Sequence, residues 1–241
     1  MTVKSLIPRL PQITSVLINP PYKPPVHTTC GVLKVPLGKT RLSLAKLVSA
    51  LLSINHAPLN PALSQANTVT VLLDLFFEYS LNNLLHAQVE SCVHSILFWK
   101  DVTQDSDGNK QPLEVKLYTN PALVHLLSNA QLLDRLISTW TNTNLPPSVS
   151  YMGHVTRISN DLVIACRSDT IPLCQSRTLL LQLLSELPEE TKASWGTITT
   201  GILADRNKMN EVKSSEADKG YSDFRDIQSP NQLAMLQVSI V

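Results

Sequence analysis

Histidines and carboxylates offer the first chemistry to weigh. His86, Glu90 and His94 stand at i, i+4 and i+8, a spacing at which one helix face can present ligands to a transition metal. Over two turns such a row drifts by ~80°, and no fourth ligand lies close in the chain. The row therefore reads as a solvated polar stripe. His27 and Cys30, in the run HTTC, pair a base with a nucleophile. They sit in a proline-rich stretch with no third group to orient the imidazole, which activation of a thiol requires. Gly38-Lys39-Thr40 has the ending of a phosphate-binding loop, but its first glycine is replaced by Leu33 and no strand signal precedes it. Asp74 and Glu78 lie one turn apart on an otherwise apolar helix, and read as its exposed edge rather than an acid/base pair. No catalytic, cofactor-binding or metal-binding residue is expected.

The elements that would position these residues centre on Asn67–Trp99. A first helix to about Tyr79 carries Val69, Val71, Leu72, Leu73, Leu75, Phe76 and Phe77 on nearly every side, so neighbours must cover most of it. After Ser80, Asn82 and Asn83 a second helix places Leu85, Val89, Cys92, Val93 and Ile96 on one face, with His86, Glu90 and His94 on the other. A buried helix followed by a half-exposed one is the unit of a helical stack.

The flanks fit the same scheme. Short helices are expected at Lys4–Leu10 and Gln12–Ile18, then an extended connection over Asn19–Thr29 because its prolines exclude helix. Gly38–Ile54 is a third helix. Asn60-Pro61 and Asn120-Pro121 are cap-plus-first-turn signals for short helices. Asp101–Thr119 reads as a long exposed loop, and Ala130–Trp140, Ser150–Arg167, Ser176–Leu187 and a segment from Pro188 as further helices. Asp205 to Asp226 holds eleven charged residues and almost no large aliphatics, which predicts a solvated, disordered tail. The fold class is all-α: an irregular α-solenoid of HEAT- or armadillo-like stacked helical pairs over 1–204, with a charged tail over 205–241.

Composition narrows function. With 20 Lys and Arg against 19 Asp and Glu, no basic excess points to nucleic acid. The longest apolar runs are too short to span a bilayer, and the first residues show no signal-peptide pattern, so an intracellular protein without membrane insertion is expected. Four cysteines without a CxxC do not make a disulfide framework. What remains is surface, and the ridges of a helical stack bind proteins or peptides. The candidate partner-binding residues are Asp74, Glu78, Asn82, Asn83 and His86 in the centre, and His154, Arg157 and Asn160 further on. The asparagines serve equally as helix caps.

Leu72–Val93, LLDLFFEYSLNNLLHAQVESCV, closely resembles a segment of the SAPS domain, found in regulatory subunits of serine/threonine-protein phosphatase 6. Tyr151–Asn160, YMGHVTRISN, is similar to that family's YMGHLTRIAN, and Val32–Leu42 to its VLDPPLGNTRL. Leu187-Pro188, Trp195 and Asn207–Asn210 match further elements in the family's order. Leu81 and Leu84 stand where the family pattern has Trp and Phe. The resemblance, to the C-terminal part of the domain, implies a non-catalytic subunit that binds a phosphatase-2A-like catalytic subunit and modulates its activity or substrate choice. It implies further contacts with ankyrin-repeat or other scaffold proteins, in the cytoplasm and also the nucleus. The competing readings are a generic helical-repeat scaffold without a phosphatase and a hydrolase using Cys30 or the His86/His94 face.

Overall fold

A computed structural model describes residues 3–28, 31–99, 120–145, 149–167 and 175–210. The expected loop over 101–119 and the tail beyond 210 lie outside these residues. The chain opens with a one-turn helix α1 (Val3–Leu6), a 3-10 turn (Ile7–Arg9) and α2 (Leu10–Ile18). The extended connection expected next contains a small antiparallel hairpin, β1 (Val26–Thr28) and β2 (Gly31–Leu33), with Val26 opposite Leu33. Sequence reading found no strand here. The pair carries β-branched Val26, Thr28 and Val32, and β2 opens at Gly31, which takes φ +129°, a conformation costly for any other residue. A strand thus precedes Gly38-Lys39-Thr40, but Leu33 still occupies the missing glycine's place.

Helices follow at α3 (Gly38–Ser53), α4 (Leu59–Gln65), α5 (Thr68–Glu78), α6 (Asn83–Leu97), α7 (Pro121–Val124, continued by a π turn over His125–Asn129), α8 (Leu132–Thr141), α9 (Met152–Cys166), α10 (Gln175–Ser185), α11 (Glu189–Thr200) and α12 (Ile202–Met209). Among the described residues no helix is long and apolar enough to cross a membrane.

Packing shows the period. α4 packs on α7 and α7 on α10; α2 on α5, α5 on the π turn before α8, and α8 on α11; α3 on α6, α6 on α9 and α9 on α12. The stack expected from sequence is present, but its unit is three helices rather than a pair: α4–α5–α6, α7–α8–α9 and α10–α11–α12, with α2–α3 preceding them. The first helices of the first two units are short, seven residues in α4 and four in α7, which is why pairs were expected. The all-round apolar α5 is enclosed as predicted, burying Val69, Leu72, Leu73, Leu75 and Phe76.

Polar groups tie unit to unit. Asn60 does not cap its own helix as expected; α4 already begins at Leu59. Its buried amide instead reaches the next unit: Nδ2 donates to Asn120 Oδ1 (2.8 Å), and Oδ1 accepts from Ala122 N (2.6 Å). Asn120 does cap α7, accepting from Leu123 N at 3.0 Å, and its Nδ2 donates to Ile96 O and to Ser176 Oγ, each at 3.1 Å. One buried chain of hydrogen bonds thus crosses the first helices of three successive units. Thr14 with Thr68 (2.8 Å) joins α2 to α5, and Thr70 with His125 (2.8 Å) joins α5 to the π turn that continues α7. The helix also continues past Ala204, where the charged tail was expected, to Met209.

Candidate protein-docking face

The third helices of the units line up their polar stripes, and there the candidate residues of α6 and α9 meet. His154 Nδ1 lies 2.5 Å from Glu90 Oε2 and its Nε2 2.6 Å from Asn83 Oδ1. Arg157 reaches Glu90 Oε1 at 3.3 Å. His94 Nδ1 lies 2.9 Å from Asp161 Oδ2, and this hydrogen bond, outweighing partial burial, holds the imidazole above its ordinary pKa. Asn160 and Asn207 exchange amide hydrogen bonds at 2.9 and 2.8 Å, joining α9 to α12. On the other side Ser49 of α3 donates to Ser91 of α6 at 3.0 Å. Asn83, His154, Arg157 and Asn160 therefore share one face, but much of their bonding capacity is spent between units. Sequence reading noted Glu90, Asp161 and Asn207 but missed their pairing with His154, His94 and Asn160, because contacts between units leave no local spacing.

The other candidates separate from this face. Asp74 lies in the second-helix layer, where Arg135 of α8 binds it at 2.7 Å. Glu78 is exposed at the end of α5. Asn82 is the cap of α6, accepting from Leu85 N at 3.0 Å, as the alternative role anticipated.

His86 is a correction. It is not on the exposed face but fully buried, 0% exposed, between Phe76, Tyr151 and the ring of His154. Its Nε2 faces Phe76 O at 3.1 Å, while Nδ1 has no hydrogen-bond partner. Burial first, and His154 second, push its pKa down to about 4, so it is neutral at physiological pH. The cause is geometric: α6 is covered by α3 on one side and α9 on the other, with α5 beneath, so only a narrow stripe of it meets solvent.

These positions take apart the histidine row on α6. His86 points inward and His94 outward, so the two do not converge. Among the described residues no group of three or more His, Cys, Asp or Glu side chains is placed to hold a metal ion. Cys92 is fully enclosed and its thiol is pushed up to about 12 by burial, which leaves it protonated and unreactive. His27 is exposed on β1, and Cys30 lies outside the described residues. What the face offers is shape and hydrogen bonding on a rigid ladder.

Residues 58–212, the three-helix units from α4 through α12, match the family model described as "SIT4 phosphatase-associated protein", SAPS. The chain belongs to the SAPS family. It is 36% identical over 209 residues to serine/threonine-protein phosphatase 6 regulatory subunit 3 of Gallus gallus, covering 85% of this chain and 23% of that protein. It is 38% identical over 213 residues to regulatory subunit 1 of Mus musculus, covering 86% and 24%. With regulatory subunit 2 of Homo sapiens the identity is 30% over 257 residues, covering 95% and 26%. The chain thus spans about a quarter of the length of the curated relatives it matches. No solved structure matches it. The SAPS match begins at α4 and closes on α12, so it takes in Asn60, Asn120 and Ser176 together with the paired stripes of α6, α9 and α12.

Proposed function

We propose that this SAPS chain acts by binding rather than catalysis: it engages the catalytic subunit of phosphatase 6, a phosphatase-2A-like enzyme, and modulates its activity or substrate choice. The observation that carries this reading is the family match over α4–α12, on a solenoid whose His86, Cys92 and Cys166 are buried and whose His94, His125 and His154 bond to neighbouring elements. Rigid stacked units suit the role, since a scaffold that holds an enzyme must keep its own geometry. Ankyrin-repeat or other scaffold proteins are the further partners of this proposal, and the cytoplasm and nucleus its compartments.

The test is direct. Purified full-length chain, immobilised, should capture the purified phosphatase-6 catalytic subunit, and a variant that unfolds the stack, such as Phe76→Asp, should not. Capture of scaffold proteins with no retention of the catalytic subunit would favour the generic scaffold reading instead.

A further inference from the structure

The three-helix repeat sets every connection between a second and a third helix along one edge of the stack. Hydrogen bonds show the edge to be continuous. Tyr79, ending α5, donates to Val35 O of the α2–α3 connection at 2.7 Å, and Ser150, before α9, donates from both N and Oγ to Ser80 O at 3.0 and 2.8 Å. Most of the large apolar side chains left exposed among the described residues lie here. Tyr22 is 89% exposed and Val26, Val32, Leu33 and Val35 between 43% and 56%, all on the α2–α3 connection. Leu81, on the α5–α6 turn beside it, and Leu84, in the first turn of α6, are 51% and 62% exposed.

This surface is not loose chain. The buried guanidinium of Arg41 donates to Leu37 O, to Pro36 O and to the Tyr79 hydroxyl, so the base of the hairpin is clamped to the end of α5. Yet every described residue of β1 and β2 is exposed, and both strands keep an unpaired edge. Native proteins ordinarily cover or charge such edges, and contiguous exposed apolar side chains mark interaction sites.

Charge identifies the occupant. Before Asp74 the chain holds seven of its 20 Lys and Arg and none of its 19 Asp and Glu. The overall balance hides this asymmetry. Lys23, Lys34 and Lys39 flank the exposed apolar residues, are themselves exposed, and make no ion pair among the described residues. An apolar centre whose rim is mainly lysine, with Glu78 the one carboxylate beside Tyr79 among the described rim residues, is complementary to a mainly acidic partner surface around its own apolar centre.

We propose that the edge formed by the α2–α3 hairpin and the α5–α6 turn is the docking face for an acidic, apolar-centred surface of a protein partner, and, resting on the function proposed above, that this partner is the catalytic subunit. An anionic membrane would share the charge. However, the exposed side chains are spread along two units rather than gathered on the apolar face of one amphipathic helix, the form interfacial binding takes.

The experiment measures the dissociation constant of the full chain for the purified catalytic subunit at low and at raised salt, with two variants. K23E/K34E/K39E reverses the rim; V32S/L33S removes part of the apolar centre. Each should weaken binding by about tenfold or more while the circular dichroism melt is unchanged, and added salt should weaken the wild type more than the rim variant. Wild-type binding with both variants equally tight overturns the docking face and leaves the proposed function standing. No binding by the wild type removes that function and the docking face with it. If both variants instead lose sedimentation with phosphatidylserine vesicles and keep the catalytic subunit, the edge is a lipid face and the inference is wrong.

Discussion

Replacing Asn120 with alanine should be far more damaging than one surface-type side chain suggests. The residue is 3% exposed, and its carboxamide is saturated: two bonds accepted, from Asn60 Nδ2 and Leu123 N, and two donated, to Ile96 O and Ser176 Oγ. Loss of a helix N-cap costs about 1 kcal/mol. Asn60 Nδ2 and the Ile96 carbonyl would be left buried without partners, at about 1–3 kcal/mol each. Partial relaxation and water entry reduce the sum, giving an expected loss of about 3–5 kcal/mol, a large share of a domain's usual stability. Urea unfolding of the full chain followed by circular dichroism gives the total. Hydrogen exchange locates it: protection should fall at the start of α7 and the last turn of α6, the two ends that the one side chain caps. A double-mutant cycle of Asn60→Ala with Asn120→Ala should show coupling of about 1 kcal/mol or more, because the two amides share a 2.8 Å bond. A loss under about 1 kcal/mol for the single variant, or strict additivity in the cycle, would refute the claim that this buried chain holds the units together.

Three further outcomes are expected. His86 is neutral in the folded chain down to about pH 4, whereas in the unfolded chain it takes up a proton near its ordinary pKa of 6.5. Stability therefore falls as pH drops from 6.5 toward 4, by about 1.4 kcal/mol per unit and about 3 kcal/mol in all; His86→Phe should flatten that slope in pH-dependent melts. His94 works in the opposite sense, since its raised pKa gives a stabilisation that is full below 6.5 and lost as pH rises through the folded value. Asp161→Asn should remove that alkaline loss. Cys92 should resist alkylation in the native chain, with labelling mapped by mass spectrometry appearing only as urea unfolds the stack. Early labelling of Cys92 would mean that α6 opens locally.

The sequence makes the core legible and hides the repeat, for reasons visible in particular residues. Every side of α5 is apolar, so its burial follows from α5 alone. His86 is different: its place on a helical wheel is set by α6, but whether that place is wet depends on how many helices press on α6, and no property of α6 records its neighbours. The period was written twice, in Asn60-Pro61 and Asn120-Pro121, and again in Asn67 and Gln131, which both take left-handed backbone just before a second helix. Unequal spacing obscured it, since the π turn lengthens one unit and 101–119 lengthens another. The same physics explains the fate of the polar face. Stacking brings like stripes of α6, α9 and α12 together, and polar side chains so placed bond to one another before they can bond to a partner. Asn83, His154, Arg157 and Asn160 thereby spend bonds between units, while Tyr22, Leu33 and Leu84 on the connecting edge have no neighbouring unit to cover them.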